Sequence, residues 1–319
     1  MVCGVSIVVP SYQGAQHLPR LFSALSEQRT TRPWELIVVL DGSTDNSSAI
    51  AESWAARLPL RTIERPENLG RSTTLNEGFE AATLEVLVRC DDDLVPRPDW
   101  IETFGSSVEK SPSDGVMGIC RNVFPDTHYA RVYGRYADLR FRDEAYASAE
   151  DLRWRYWGGN SGVHRDLWVA VGPYDSETFT GYGYEDVDWG YRIGRQGGSV
   201  CLVPELETQH QAAATTTSIR LGRAYQSGIG KARFEFKHAL EPEPEPGSGR
   251  NPWALTVRAG SRISGQAAFE RVGHRIDWLL NGIPASAGRK VIDLAIEAAH
   301  ESGYSDRIAE TANQTLRPT

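Results

Sequence analysis

The sequence predicts an α/β protein with a mixed, mostly parallel sheet flanked by helices and a helical C-terminal extension. Over the first 120 residues, apolar strand-like runs alternate with segments of helical periodicity. Such alternation is typical of βαβ units, which place parallel strands in one sheet. A Pro/Glu alternation at residues 241–246 cannot continue a helix, and two helical patterns follow it. We therefore expect the tail to be a separate helical part of the chain.

The predicted elements of the first 120 residues follow one another in regular order. Apolar runs predict strands at residues 5–9, 35–40, 60–63, 85–90 and 115–120. Helical spacing predicts helices at residues 17–28, 46–57, 71–82 and 98–108. We expect Pro10 to end the first strand, and Ser43, Thr44 or Asp45 to cap the second helix.

The rest of the chain is less regular. Residues 121–157 carry many Arg, Tyr and Trp residues with weak periodicity and predict no definite element. We expect helices at residues 166–171 and 185–195, a strand at residues 200–203, and tail helices near residues 269–280 and 289–300. Apolar stripes on the tail helices favour a packed helical extension or a homodimer contact. Their mixed charges argue against a membrane surface.

Composition and charge argue against several classes of partner. Of the 319 residues, 40% are apolar and 24% are charged, which is an ordinary globular mixture. The net charge is −8, without a long Lys/Arg block. This balance argues against nucleic acid or an anionic membrane as the main partner. A phosphate site in such an acidic chain would need a divalent metal, bound by carboxylates, to supply positive charge.

The cysteines and the apolar segments indicate the cellular compartment of the protein. Cys3, Cys90, Cys120 and Cys201 form no CxxC pair, and we expect small core thiols in a reducing compartment. The apolar run at residues 5–9 is too short for a secretory leader and lacks a basic start. No segment approaches the roughly 20 apolar residues of a membrane-spanning helix. We therefore expect a soluble, cytoplasmic protein without a transmembrane segment.

Polar clusters follow three of the predicted strands, at residues 10–12, 41–43 and 91–93. In parallel sheets, ligands bind beyond the carboxyl ends of the strands. Asp91 and Asp93 form a D-x-D pair whose hard oxygens suit Mg²⁺ or Mn²⁺. Such a metal would neutralise a diphosphate. The alternative is a polar turn or an N-cap before the next helix.

A second acidic cluster, Glu185-Asp186-Val187-Asp188, begins the helix predicted at residues 185–195. A carboxylate there could take the proton of an attacking hydroxyl group. The alternative is a set of acids favoured by the dipole in the first turn of a helix. A calcium loop is excluded, because the full EF-hand spacing and its terminal Glu are missing.

Three further residues are candidates for binding. Asp41, at a strand end, could accept a hydrogen bond from a nucleobase, although turn chemistry also explains it. Arg71 follows Asn68-Leu69-Gly70 and could meet a phosphate at the start of a helix, or be an exposed loop arginine. His210 could be a third metal ligand, although a lone histidine is more often structural.

Taken in chain order, these strings resemble glycosyltransferase family 2, a group of inverting enzymes with the GT-A fold. The matching strings are VSIVVPSY (5–12), VVLDGSTD (38–45), NLG (68–70), LNEG (75–78), DDDLVP (91–96), GNSG (159–162), VGPYD (171–175) and GYEDVD (183–188). The resemblance covers residues 3–212 and leaves out the tail. Two departures are mild: Asp41-Gly42 stands where many relatives have two acids, and Tyr174 replaces the more usual Phe.

The resemblance implies roles for the matched positions. It implies that Asp186, with Glu185 beside it, is the catalytic base. The implied metal ligands are Asp93, Asp91 and His210. The implied nucleotide-sugar site comprises Pro10, Ser11, Tyr12, Asp41, Asn68, Arg71, Asp91 and Asp92. Asn160, Gly159 and Trp157 are implied to lie near the sugar and the acceptor.

The implied function is metal-dependent, inverting transfer of a hexose from a nucleoside-diphosphate sugar, UDP-linked by default in this family. The acceptor would be a hydroxyl group of a carbohydrate, a lipid-linked carrier or a small molecule. The expected domains are a GT-A catalytic domain at residues 1–240, with a nucleotide-binding half at about 1–120 and an acceptor half at about 121–240. A spacer at 241–250 and a helical extension at 251–319 follow.

Two other functions fit parts of the sequence. A sugar nucleotidyltransferase uses a similar sheet and metal, but it would have a Gly-rich, Arg-containing loop after the first strand. Here that loop reads PSYQGA at residues 10–15. A non-catalytic carbohydrate- or nucleotide-binding relative would explain the aromatic residues, but it would not need a metal site together with a distant base.

Overall fold

The computed structural model describes residues 2–180, 183–211, 214–244 and 246–315. The chain forms two compact units. The first comprises Met1–Val123, Phe141–Thr180 and Glu185–Gln211, and the second comprises Phe124–Arg140, Gly181–Tyr184 and Ala212–Thr319. The domain boundaries expected from the sequence, at residues 240 and 250, stay a prediction.

The described residues contain ten strands, all in the first unit. They are β1 Val5–Ser11, β2 Trp34–Asp41, β3 Leu60–Arg65, β4 Val86–Cys90, β5 Leu94–Val95, β6 Gly115–Met117, β7 Cys120–Val123, β8 Asn160–His164, β9 Val200–Leu202 and β10 Thr208–Gln211. Seven of these described strands form the main sheet, in the order β3-β2-β1-β4-β8-β6-β9. Strand β8 is antiparallel to β4 and β6, and the other pairs are parallel. A small second sheet has the order β5-β10-β7.

Helices flank the main sheet and make up most of the second unit. Within the described residues they are α1 Leu18–Ser26, α2 Ser47–Trp54, α3 Arg71–Ala81, α4 Trp100–Lys110, α5 Arg135–Ala147, α6 Arg165–Val171, α7 Glu185–Arg195, α8 Thr217–Lys237, α9 Pro252–Gly260, α10 Gln266–Leu279 and α11 Ala285–Thr315. Together with the mixed, mostly parallel sheet, they confirm the predicted fold class.

Both faces of the main sheet are buried, which explains why its central strands are continuous apolar runs. One face packs against α1, α2 and α4, with Phe22 and Phe104 among the buried side chains. The opposite face packs against α3, α6 and α7, with Leu75 and Trp189 among them. The carboxyl ends of β1, β2 and β4 are left at one edge of this layer.

The first strand does not end at Pro10, and that prediction was wrong. Pro10 pairs with Val39 and Ser11 with Leu40, so β1 continues along β2. The pairing of β1 with β4 stops earlier, at Val8 and Arg89. Proline is tolerated where a strand has lost a neighbour, because its missing N–H is not needed there.

The single strand predicted at residues 115–120 is two strands in different sheets, β6 and β7. The chain leaves the main sheet at Gly118, whose N–H donates to the Asn160 carbonyl at 3.0 Å. A Cβ atom at Gly118 would overlap the carbonyl oxygen of Leu206. The backbone therefore crosses another segment at a distance that only glycine allows.

The second unit has its own core, formed mainly by α8, α9, α10 and α11. Leu221, Phe269 and Ile292 are fully buried in it. Helices α8 and α11 pack closely, because a Cβ at Gly228 would overlap the backbone of His300. Both α8 and α9 were missed, and α11 is much longer than the 289–300 predicted. The homodimer through these helices stays a prediction.

None of the helices among the described residues is both long enough and apolar enough to cross a membrane. The four cysteines are free thiols: Cys90 is buried, and Cys3, Cys120 and Cys201 are partly buried.

The crossing at Gly118 gives a test of the fold. We expect Gly118→Ala to lower the free energy of unfolding by about 2 kcal/mol, because the added methyl group overpacks the crossing. Gly158→Ala is the matched control, since its Cβ would meet its nearest neighbour at an ordinary 3.7 Å. The control should change stability by less than about 0.5 kcal/mol. Urea denaturation measures both, and equal effects would contradict this account of the crossing.

Candidate active site

A pocket of about 310 Å³ lies at the carboxyl ends of β1, β2 and β4. The chain runs outward from β1 to β2 and β3 on one side, while β4 lies on the other. Such a switch point in strand order is where α/β sheets bind ligands. The pocket is lined by Pro10, Ser11, Tyr12, Asp41, Asn68, Gly70, Arg71, Thr74, Asp91, Asp92 and Asp93. The structure thus brings together all eight residues that the sequence predicted for the nucleotide-sugar site.

Asp41 holds the loop that opens α3. Its Oδ1 accepts a hydrogen bond from the N–H of Leu69 at 2.9 Å, and its Oδ2 accepts one from Gly70 at 2.9 Å. Gly70 has a φ of 89°, which favours glycine. This clamp fixes the start of α3, where the side chain of Arg71 faces the pocket.

Asp92 is bound to the end of the first strand. Its Oδ2 accepts a hydrogen bond from the Ser11 hydroxyl at 2.5 Å. Burial raises the pKa of Asp92 to about 7; the Ser11 hydrogen bond opposes this shift, and the neighbouring acids add to it. A Cβ at Gly14 would lie 2.6 Å from Asp92 Oδ2, so glycine is needed to let this contact form.

Asp91 lines the pocket and is paired with an arginine. Its Oδ1 accepts from Arg89 Nε at 2.8 Å, and its Oδ2 accepts from Arg89 Nη2 at 3.2 Å. Burial acts to raise the pKa of Asp91, but the guanidinium outweighs it and lowers that pKa to about 2. The backbone of Gly159 packs directly on this carboxylate, because a Cβ there would overlap it. Gly159 therefore lies beside the pocket, and its role near the sugar and the acceptor stays a prediction.

Asp93 and His210 meet, although they are distant in sequence. His210 lies on β10, which pairs with β5 next to the acidic cluster, and its Nε2 is 3.0 Å from Asp93 Oδ2. His210 Nδ1 lies 2.6 Å from Asn122 Oδ1 on β7. Such a partner fixes the ring of a metal-binding histidine when Nδ1 carries the proton.

The three predicted metal ligands do not form one ready ligand set. Asp93 Oδ1 is buried without a hydrogen-bond partner, while Asp91 is engaged by Arg89. Within the described residues, no three His, Cys, Asp or Glu side chains converge on a single point suitable for a metal ion. Asp93 and His210 therefore offer two ligand groups, and Asp91 would have to loosen its contact with Arg89 to add a third.

Asp186 and Glu185 begin α7, as predicted, and each is paired with an arginine. Glu185 Oε1 accepts from Arg71 Nη1 at 3.1 Å, and its Oε2 is buried without a partner. Asp186 Oδ1 accepts from Nη1 of Arg89. Burial raises the pKa of Asp186 above its usual value, and the guanidinium of Arg89 opposes that shift. The two arginines thus connect this pair of acids to the pocket.

Asn160 and Trp157 lie in the core. The Asn160 amide accepts from Trp100 Nε1 at 2.9 Å and donates to the carbonyl groups of Gly118 and Leu206. Trp157 stacks on Trp189. Its indole N–H donates a hydrogen bond to the buried Tyr174 hydroxyl. Neither side chain is among those that line the pocket, so their role near a sugar or acceptor stays a prediction.

Arg89 belongs to the site but is not among the residues predicted from the sequence. Its signal was present, because an arginine interrupts the apolar run of residues 86–90 directly before the acidic cluster. A charge inside a buried strand requires a partner, and here the partners are Asp91 and Asp186.

Comparison with known proteins defines the class. The family model "Glycosyl transferase family 2" matches residues 6–168, just over half of the chain. A validoxylamine A glucosyltransferase of Streptomyces hygroscopicus subsp. jinggangensis is 26% identical over 96% of this chain and 75% of that protein. A chondroitin synthase of Escherichia coli is 23% identical over 62% of this chain, but only 33% of that protein.

The solved structures that resemble this chain show the fold. A mannosyltransferase from Pyrobaculum calidifontis, solved with GDP-Man and Mn²⁺, has a TM-score of 0.60, 20% identity, and coverage of 96% of this chain and 88% of that one. TarS of S. aureus, solved with UDP-GlcNAc, has a TM-score of 0.52, 13% identity, and coverage of 98% and 93%.

The chain belongs to glycosyltransferase family 2 and has the GT-A fold that its sequence predicted. It is a glycosyltransferase. This assignment favours sugar transfer over the two alternative functions, nucleotidyl transfer and non-catalytic binding.

The burial of Asn160 leads to a prediction. We expect Asn160→Ala to lower the free energy of unfolding by about 3 kcal/mol, because buried donors and acceptors lose their partners. Asn68→Ala, at the exposed rim of the pocket, should leave stability nearly unchanged and weaken nucleotide binding. Thermal unfolding with and without UDP separates the two effects. An Asn160→Ala protein of normal stability would contradict the structural role.

Proposed function

We propose that the protein is a metal-dependent, inverting glycosyltransferase that moves a hexose from a nucleoside-diphosphate sugar to an acceptor hydroxyl group. One observation carries the proposal: Asp186 is tied through Arg89 to Asp91, which lines the pocket beyond the sheet. A base and a donor site are therefore held in one cluster. The family assignment supports the same chemistry.

The donor is expected to bind in the pocket at the carboxyl ends of the strands. Tyr12 is 53% exposed there and offers a ring on which a nucleobase can stack. Arg71, at the start of α3, supplies positive charge for a phosphate. Two structural relatives were solved with nucleoside-diphosphate sugars, one with GDP-Man and one with UDP-GlcNAc. Both support this class of donor, and we propose a UDP-linked sugar.

A divalent cation, Mn²⁺ or Mg²⁺, fits the donor set of Asp93 and His210. Asp93 Oδ1 is a buried oxygen that lacks a partner, and hard cations prefer carboxylate oxygens. His210 is oriented by Asn122. The described residues that line the pocket include four aspartates and one arginine, Arg71, so little positive charge is present there to balance a diphosphate. When bound, the cation would act as a Lewis acid on the leaving diphosphate. The Mn²⁺ in the Pyrobaculum calidifontis structure supports this choice.

The proposed reaction is a single displacement at the anomeric carbon. Asp186 accepts the proton of the acceptor hydroxyl group while the oxygen of that hydroxyl group forms a bond to the anomeric carbon. The bond from the carbon to the diphosphate breaks at the same time, and configuration inverts because no covalent intermediate forms. Burial raises the pKa of Asp186, and a general base works best when its pKa is near the operating pH. The acceptor is a hydroxyl group of a carbohydrate, a lipid-linked carrier or a small molecule.

The role of Asp186 can be tested directly. We expect Asp186→Asn to lower turnover by at least about 100-fold, because an amide cannot accept the proton, while donor affinity changes little. Release of nucleoside diphosphate measures turnover, and thermal stabilisation measures binding. Asp166→Asn, an exposed acid in the first turn of α6, is the control. Loss of donor binding together with activity would refute the assignment.

The metal and the donor can be tested by thermal stabilisation with a panel of nucleoside diphosphates and nucleotide sugars, each with and without Mn²⁺. We expect a Mn²⁺-dependent rise of about 5 °C with UDP at roughly 100 times its Kd. Asp93→Asn should abolish the part of the shift that depends on Mn²⁺.

The control for Asp93→Asn is Asp99→Asn, an exposed acid nearby whose ion pair with Arg97 is worth little. It should behave like the unchanged protein. A shift with GDP and none with UDP would identify GDP as the donor nucleotide in place of UDP. An equal shift without Mn²⁺ would argue against the metal.

A further inference from the structure

A buried arginine lies inside the central strand of the main sheet. Arg89 occupies β4 between Val88 and Cys90, and its side chain is 1% exposed. A charged side chain is rarely buried unless it is paired, because the loss of its water is costly. An apolar residue would complete the core at this position. Packing of the sheet therefore does not explain the arginine.

The guanidinium of Arg89 is shared by two carboxylates from distant parts of the chain. Two of its nitrogens donate to Asp91, at 2.8 and 3.2 Å. The third, Nη1, donates to Oδ1 of Asp186, which lies 97 residues further along. The planar fork of arginine gives such contacts a fixed geometry, which the flexible ammonium group of lysine matches less well.

Arg89 contacts the site through these two acids. Its side chain is shielded, whereas that of Arg71 is 40% exposed and lines the pocket. Because the side chain of Arg89 is only 1% exposed, contact with a substrate phosphate falls to Arg71. Without Arg89, the carboxylates of Asp91 and Asp186 would lose the positive charge that lies between them.

We propose that Arg89 is a positioning residue for sugar transfer, which fixes the carboxylate of Asp186 relative to the donor site at Asp91. The inference rests on the proposed function of Asp186 as the base. Since Arg89 holds Oδ1, the carboxylate presents its other oxygen, Oδ2, to the acceptor hydroxyl group. The same contact links the orientation of the base to the wall of the donor pocket.

The test compares Arg89→Met and Arg89→Lys in the full chain with UDP-glucose and GDP-mannose, each with Mn²⁺. Nucleoside diphosphate release gives kcat and KM. We expect Arg89→Met to lower kcat about 100-fold, as small misplacements of a catalytic group do, with KM for the donor within about threefold. Arg89→Lys should recover about tenfold, because it restores the charge but not the fork. Arg97→Met, at an exposed arginine, should equal the unchanged protein.

Two results in the kinetic assay would overturn the proposal. One is a loss of donor affinity in Arg89→Met that accounts for the whole loss of kcat/KM, because Arg89 would then serve the pocket alone. The other is an Arg89→Lys protein that is no more active than Arg89→Met.

Urea unfolding of Arg89→Met, Asp186→Asn and the double variant tests the contact without any donor. We expect the two substitutions to be non-additive by at least about tenfold in the unfolding equilibrium constant, because both remove one interaction. If Arg89→Met alone does not fold, because it also leaves the carboxylate of Asp91 unpaired, Arg89→Lys, which keeps the positive charge, takes its place in the cycle. Additive effects would overturn the proposal.

The two assays separate this inference from the proposed function. If the unchanged protein neither binds nor hydrolyses any nucleotide sugar in the panel, the proposed function fails. The unfolding cycle still decides in that case whether Arg89 holds Asp186.

Discussion

The first unit depends on the balance of charge at the carboxyl ends of its central strands. Asp91, Glu185 and Asp186 are at least half-buried, and each is held by an arginine. Buried carboxylates without partners would be protonated or would destabilise the fold. Arg71 and Arg89 compensate these acids within a chain whose net charge is −8. The acids can therefore stay close together in the folded protein.

This balance also explains how one site is assembled from distant segments. The loop that presents Arg71 is clamped by Asp41 through two backbone N–H groups. The helix that carries Glu185 and Asp186 begins beside the same arginines. The two arginines therefore connect the donor pocket to the acids that begin α7. The geometry is thus a property of the network rather than of single residues.

The sequence predicted the pocket well, because its signals are local. Strands β1, β2 and β4 are apolar runs, and each is followed by polar residues that the parallel sheet brings to one edge. Helix α7 was predicted with its observed bounds, and Asp186 at its start follows from that. The eight residues expected in the nucleotide-sugar site all line the pocket. The positions of the strand-end clusters and of α7 need only periodicity and strand order, whereas the full set of eight binding residues is implied by the resemblance to the family.

The missed features depend on tertiary contacts. Strands β5 and β10 are short, and β10 places His210 beside Asp93 through a pairing that no local pattern indicates. Helix α8 contains Gly222, Gly228 and Gly230, which lower helix propensity. Its packing against α11 nevertheless requires a glycine where the backbones meet. The same residue that weakens the local signal therefore permits the contact that stabilises the helix.

Arg89 sets the environment of Asp186 through a pairing that joins two distant parts of the chain. Burial alone would raise the pKa of Asp186 and favour its neutral form, whereas a fully exposed carboxylate would be a weak base. The basicity of a buried acid beside a buried guanidinium lies between these limits, because burial and the neighbouring positive charge have opposite effects on its pKa. A single charged residue inside an apolar strand is the sequence signal of such a pair. Finding its partner requires the fold, because Asp186 lies 97 residues away.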